Sequence, residues 1–196
     1  MFFYLTTILV SMIITSLFNL AFSVGNKSFL YLIVLVIILT LVEIIIDCVF
    51  ATLVRWIFPK KWFSVEKKVF SASKKERRFY EKMGIKKWKD KTLDLGSVTG
   101  FKKKTLQKTT DETYFERFII ECNYGVLVHV LCDIFGFAVL FLCPNPFKLT
   151  IGLPVAIVNL FLNSLSLFIL RYNLPKLRAV YNFNIKRKRV DKNVCV

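Results

Sequence analysis

Glu116-Arg117-Phe118-Ile119-Ile120-Glu121-Cys122-Asn123-Tyr124-Gly125-Val126-Leu127-Val128-His129-Val130-Leu131-Cys132-Asp133 opens charged, turns apolar, and carries four polar side chains into the apolar run. These are Glu121, Asn123, His129 and Asp133, and His129 is the only histidine of the chain. Positions 121, 125, 129 and 133 step by four, so they climb one face of a helix. A titratable side chain within hydrocarbon is costly, and by default it marks a functional site.

The rest of the chain places this stretch in a membrane. Of 196 residues 55 % are hydrophobic, yet the formal net charge is +16, and the two properties are segregated along the sequence. Residues 2–24, 29–54, 118–143 and 150–170 read as four spans, each long enough to cross about 30 Å of hydrocarbon. Residues 1–24 have two readings. Ala21-Phe22-Ser23 resembles a signal cleavage site, but a transmembrane helix is expected because nothing soluble and secreted follows.

Arg55 to Arg117 holds 19 Lys/Arg against 8 Asp/Glu, and Arg171 to the end holds 8 against 1. The remaining acids, Glu43, Asp47, Glu121 and Asp133, all lie in apolar spans. Basic segments flanking spans fit an anionic leaflet better than a nucleic-acid groove, so nucleic acid is not expected as a partner. The expected fold class is an all-α integral membrane protein with four transmembrane helices, forming a single membrane domain over 1–196. A basic, partly amphipathic helical cytoplasmic loop would occupy 55–117, and a basic cytoplasmic tail 171–196. Within the loop, Lys60 to Trp88 reads as an amphipathic helix on the membrane or a helical hairpin with a small core. Positive charge inside puts both termini on the cytoplasmic face of a multi-pass cell-membrane protein.

Depth along each span decides which polar residues can meet. At about 1.5 Å per residue from the basic boundary, Asp47 and Glu43 lie roughly 12 and 18 Å deep, and Asn163 and Asn159 match them. Glu121 lies roughly 6 Å deep and His129 roughly 18 Å on the same count. Three spans thus offer polar faces at similar depth, as a cavity open to the cytoplasm would need. Five cysteines without a CxxC pair and a lone histidine argue against a zinc site and against a disulfide framework.

Three collinear motifs carry a resemblance. They are Lys87-Trp88-Lys89-Asp90-Lys91-Thr92-Leu93-Asp94; Glu116 to Glu121 followed by seven residues and His129; and Asn163 followed by seven residues and Arg171-Tyr172-Asn173-Leu174-Pro175-Lys176-Leu177. In these the chain resembles the glycosyl-4,4′-diaponeurosporenoate acyltransferase family over about 55–189. The first span, Glu43, Asp47 and Asp133 have no counterpart in that pattern. The resemblance implies a membrane enzyme that esterifies a fatty acid to the sugar of a glycosylated carotenoid or related glycolipid. The implied partners are membrane lipids, that acceptor and a fatty acyl donor.

On this reading His129 is the base that activates the sugar hydroxyl, because imidazole takes a proton near neutral pH. Glu121 or Asp133 would orient the ring, and Asn163 would donate to the acyl oxyanion. Arg171, with Lys87, Lys89 and Lys91, would hold an anionic donor such as an acyl thioester cofactor, and no other cofactor is expected. Trp88, Arg117, Tyr172 and Asn173 complete the substrate-binding set that the motifs imply. Two other classes compete: a non-enzymatic membrane scaffold or partner protein, and a transporter using the acids as a relay. Against transport, no inverted repeat is visible and Ile134 to Cys143 is apolar throughout.

Overall fold

The computed structural model describes residues 2–89 and 112–194. Residues 90–111 of the expected 55–117 loop fall outside them. Every regular element among the described residues is helical. The α-helices are α1 (Phe2–Ala21), α2 (Phe29–Ile57), α3 (Lys74–Lys82), α4 (Ile85–Trp88), α5 (Glu112–Phe135), α6 (Val139–Leu142) and α7 (Leu153–Val194). Four helical stretches, in α1, α2, α5 to α6 and α7, are long and apolar enough to cross a membrane. The protein is a multi-pass membrane protein.

The boundaries depart from expectation in three places. The third long helix begins at Glu112 instead of Phe118, because Glu112 to Arg117 is helical although it is charged. Lys60 to Trp88 is not one amphipathic helix: 3₁₀ turns at Lys60–Phe63 and Lys68–Phe70 precede α3 and α4. Met83 and Gly84 join α3 to α4, and Tyr80 and Ile85 share a small core with Ala72 and Tyr172. The third departure is α7, which does not stop at Arg171 but runs 42 residues, straight through Pro175. At 1.5 Å per residue that is about 63 Å, roughly twice the hydrocarbon thickness, so much of it must extend beyond the lipid.

Pro175 explains how this is tolerated. A proline inside a helix has no N–H for the carbonyl four residues earlier. Here that carbonyl belongs to Arg171, and it accepts instead from the N–H of Ala72 at 3.0 Å. The broken helical bond becomes the attachment point for the segment before α3.

The described chain forms two compact units, Met1–Val54 with Val128–Ser166, and Arg55–Leu127 with Leu167–Val196. The division falls inside α2, inside α5 and inside α7. In the first unit Leu32, Val36, Leu39, Val139, Cys143, Phe147, Ile151 and Ala156 form the core. The turn from α1 to α2 uses left-handed residues, among them Gly25 at φ +64°, whose absent Cβ would lie 2.7 Å from the Phe147 ring. Only glycine satisfies both the conformation and the contact. Asn19 ties α1 to the turn before α7 by donating to Thr150 O at 3.0 Å.

In the second unit one core joins Phe115, Phe118, Ile119, Cys122 and Val126 of α5 to Leu174 and Leu177 of α7. A smaller core joins Ala72, Tyr80 and Ile85 to Tyr172. Ser73 and Glu76 begin α3 with a reciprocal capping box, as Ser-x-x-Glu foretells.

Candidate functional site

In the first unit α2, α5 and α7 bring five polar side chains into one hydrogen-bonded set. Each arises from a local repeat: Glu43 and Asp47 are one turn apart on α2, as are Asn159 and Asn163 on α7. His129 Nδ1 lies 2.7 Å from Asn163 Oδ1. Asn163 Nδ2 donates to Asp47 Oδ2 at 2.9 Å and to Asn159 Oδ1 at 3.0 Å. Asn159 Nδ2 donates to Glu43 Oε2 at 3.0 Å and approaches Asp47 Oδ1 at 3.4 Å.

These contacts settle the orientation of Asn163. Its nitrogen faces acceptors and its oxygen faces the histidine, which assigns the proton to His129 Nδ1. The lone pair of the neutral ring is then on Nε2, the tautomer a general base requires. Asp47 acts on the ring through an amide, since Asn163 bridges the two. Glu43 is 3 % exposed, with one oxygen held by Asn159 and the other buried without a partner.

Gly136 permits this closeness. A Cβ at that position would lie 2.8 Å from Asn159 Nδ2 and 3.2 Å from Glu43 Oε2. Glu43 and Asn159 also border a cavity of about 50 Å³ whose walls include Ile8, Met12, Val36 and Val155. The polar set therefore adjoins an apolar slot made by α1, α2 and α7.

Residues expected to serve the histidine have other bonds. Asp133 accepts from Ser164 Oγ at 3.3 Å. Glu121 belongs to the second unit, where Arg55 binds both its oxygens, at 3.2 and 2.5 Å. An asparagine, not a carboxylate, accepts from His129 Nδ1. Both amide hydrogens of Asn163 are near acceptors, so donation to an acyl oxyanion would require one of those bonds to be exchanged.

The second unit holds most of the expected binding residues. Arg171 is committed to protein partners: Nε donates to Glu76 Oε1 at 2.6 Å and Nη2 to Glu76 Oε2 at 2.9 Å. Its Nη1 donates to Val69 O at 3.1 Å and Nη2 reaches Ser71 O at 3.4 Å. The Arg171 guanidinium holds the Glu76 carboxyl at about 2, well below the usual carboxylate value, with help from the Tyr80 hydroxyl. Arg171 thus fastens the segment before α3 with both its side chain and its carbonyl. Tyr172 is buried and donates to Glu81 Oε1 at 3.0 Å.

Asn173 is half-buried and makes no side-chain hydrogen bond among the described residues. Trp88 packs on the smaller core and donates to Met83 O at 3.2 Å. Lys89 is half-buried and Arg117 exposed, while Lys91 lies outside the described residues.

Sequence reading missed the Asp47 to Asn163 bond and the Glu76 partner of Arg171. Asp47 could have been found from its matching depth. Nothing local marks Glu76 beyond its capping box, because its partner lies 95 residues away.

No group of three or more metal-ligating acids, cysteines or histidine occurs among the described residues. Neither a curated protein nor a solved structure matches the chain. The family model described as glycosyl-4,4′-diaponeurosporenoate acyltransferase matches residues 59–182, a segment that contains His129, Asn163 and the whole Arg171 to Leu177 motif. With that match covering well over half its length, the chain belongs to the glycosyl-4,4′-diaponeurosporenoate acyltransferase family.

Proposed function

We propose that the protein transfers a fatty acyl group to the sugar hydroxyl of a glycosylated carotenoid or related glycolipid, with His129 as general base. The observation that supports this is the His129–Asn163–Asp47 arrangement, in which Nδ1 donating to Asn163 makes Nε2 the basic nitrogen. His129 takes the proton of the hydroxyl as its oxygen forms a bond to the acyl carbon. The intermediate then expels the donor's leaving group, and His129 returns the proton to it, so no net proton is released. Asn163 is a positioning residue here: it holds Nδ1–H, and its bond to Asp47 strengthens that hold.

Family membership favours a glycolipid acceptor, and the charge distribution favours cytoplasmic termini and a cytoplasmic 55–117 segment. Arg171 and Glu121 serve by holding the second unit together.

Expression in a host that makes glycosylated carotenoids, followed by mass spectrometry of its lipids, tests the reading. An added acyl mass that disappears with His129→Ala, at unchanged membrane insertion, is the expected result. Full ester production by that variant would remove His129 from the chemistry.

A further inference from the structure

The buried ring of Tyr172 gathers cations in the second unit. Arg77 Cζ stands 5.5 Å from its centroid and Lys176 Nζ 4.9 Å. The Tyr172 hydroxyl binds Glu81 Oε1, and Lys86 Nζ reaches the same oxygen at 3.2 Å. Arg77, Lys86 and Lys89 are all close enough for their charges to act on Lys176, and Glu81 is the carboxylate that acts with them. Arg77 Nε is buried and has no acceptor.

Among the described residues the cluster sets the positive charges of Arg77, Lys86, Lys89 and Lys176 against the one carboxylate of Glu81, a balance of repulsion over attraction. A ligand with two or more negative charges would reverse that balance. Phosphate has the matching shape: several acceptor oxygens for a guanidinium fork and for mobile ammonium groups. Tyr172 follows the apolar run that ends at Leu170, which places the cluster in the chain where a span gives way to charge.

We propose that Arg77 and Lys176 on the Tyr172 ring, with Lys86 beside them on Glu81, seat a phosphate ester carried by the acyl donor. The seat rests on the acyl-transfer reading for its purpose, but its binding can be measured without turnover. Cation–ring contact positions two of the three charges, and Glu81 keeps Lys86 and the Tyr172 hydroxyl in place until phosphate arrives.

Two sources of phosphate are distinguished by two probes on the purified full chain. In phosphatidylcholine nanodiscs, equilibrium binding of coenzyme A is compared with that of pantetheine, which lacks phosphate. In phosphatidylglycerol nanodiscs, native mass spectrometry counts retained phosphatidylglycerol. A soluble donor predicts that coenzyme A binds more tightly than pantetheine. Arg77→Gln with Lys176→Gln should then weaken coenzyme A about tenfold, as expected for charge-assisted hydrogen bonds. A lipid donor predicts instead that the same double variant sheds phosphatidylglycerol.

Arg77→Lys with Lys176→Arg keeps the charge and should restore binding in whichever arm responds. The proposal is overturned if the double Gln variant matches wild type in both arms, or if the charge-keeping variant fails like the Gln variant while folded. Phosphate binding through these residues without any ester product would leave the seat standing and remove acyl transfer. Ester formation that ignores the double Gln variant would do the reverse.

Discussion

The two units solve the problem of holding a charged group in different ways. The first surrounds Asp47, Glu43 and His129 with the amides of Asn159 and Asn163, and the set lies within spanning helices. The second joins Arg171 to Glu76 as a forked ion pair, each side chain about a quarter exposed. Amides can donate and accept at once, so they link acids to a histidine without bringing a full opposite charge into hydrocarbon. An arginine fork suits a half-wet site, where its remaining donors find carbonyls such as that of Val69.

Removing the centre of the first region should have the largest effect. His129→Ala should lower ester formation by about 10²- to 10⁴-fold, the range for a general base, and lipid mass spectrometry reads this out. Asn163→Leu should be smaller, a drop in kcat of about tenfold to a hundredfold with KM little changed, since it removes orientation but not the base. An unchanged kcat in Asn163→Leu would show that the amide bridge is packing only.

Breaking the second region should cost stability before chemistry. Arg171→Ala leaves Glu76 with only the Tyr80 hydroxyl and the Ser73 N–H as donors and takes the guanidinium from two carbonyls, which should destabilise the unit by about 1–3 kcal/mol, seen as a lower Tm in detergent. Arg171→Lys should recover only part of this, because a single ammonium cannot reproduce the fork.

The same pair predicts a pH dependence with a fixed sign. The Glu76 carboxyl titrates at about 2 in the folded chain against an ordinary value of 4.5, so its folded pKa is depressed. The stability it contributes is full above about pH 4.5 and is lost as pH falls toward about 2. Acid unfolding of Glu76→Gln should be flatter over that window than wild type, and an identical slope would mean that the pair contributes nothing.

Pro175→Ala should have the smallest effect. It returns an N–H to compete for the Arg171 carbonyl, so hydrogen exchange at the Ala72 amide should quicken while Tm moves by no more than about 1 kcal/mol equivalent. Faster exchange there without loss of the Arg171–Glu76 pair would separate the main-chain attachment from the ion pair.

Much of the fold was legible because hydrocarbon imposes a simple rule. Long apolar runs become helices, and the turns show themselves through Gly25-Asn26 and Pro144-Asn145-Pro146. The capping box at Ser73 was legible too, being four residues long. The expected bound at 170 marks where apolar residues give way to charge, not where the helix stops, and the acceptor that Pro175 strands is satisfied by Ala72, remote in sequence. Arg171 likewise read as a ligand for an anion, because nothing near it in the chain announces Glu76.

The sequence by itself determined that the protein spans a membrane, that His129 is its one imidazole, and that Glu43/Asp47 and Asn159/Asn163 each share a helical face. Helical periodicity and the cost of charge in lipid require no knowledge of neighbours. Tertiary structure decided the partners: Asn163 between His129 and Asp47, Glu76 under Arg171, and Arg77 and Lys176 on the ring of Tyr172. Hydrogen bonds act over about 3 Å, and only folding brings together side chains that lie dozens of residues apart.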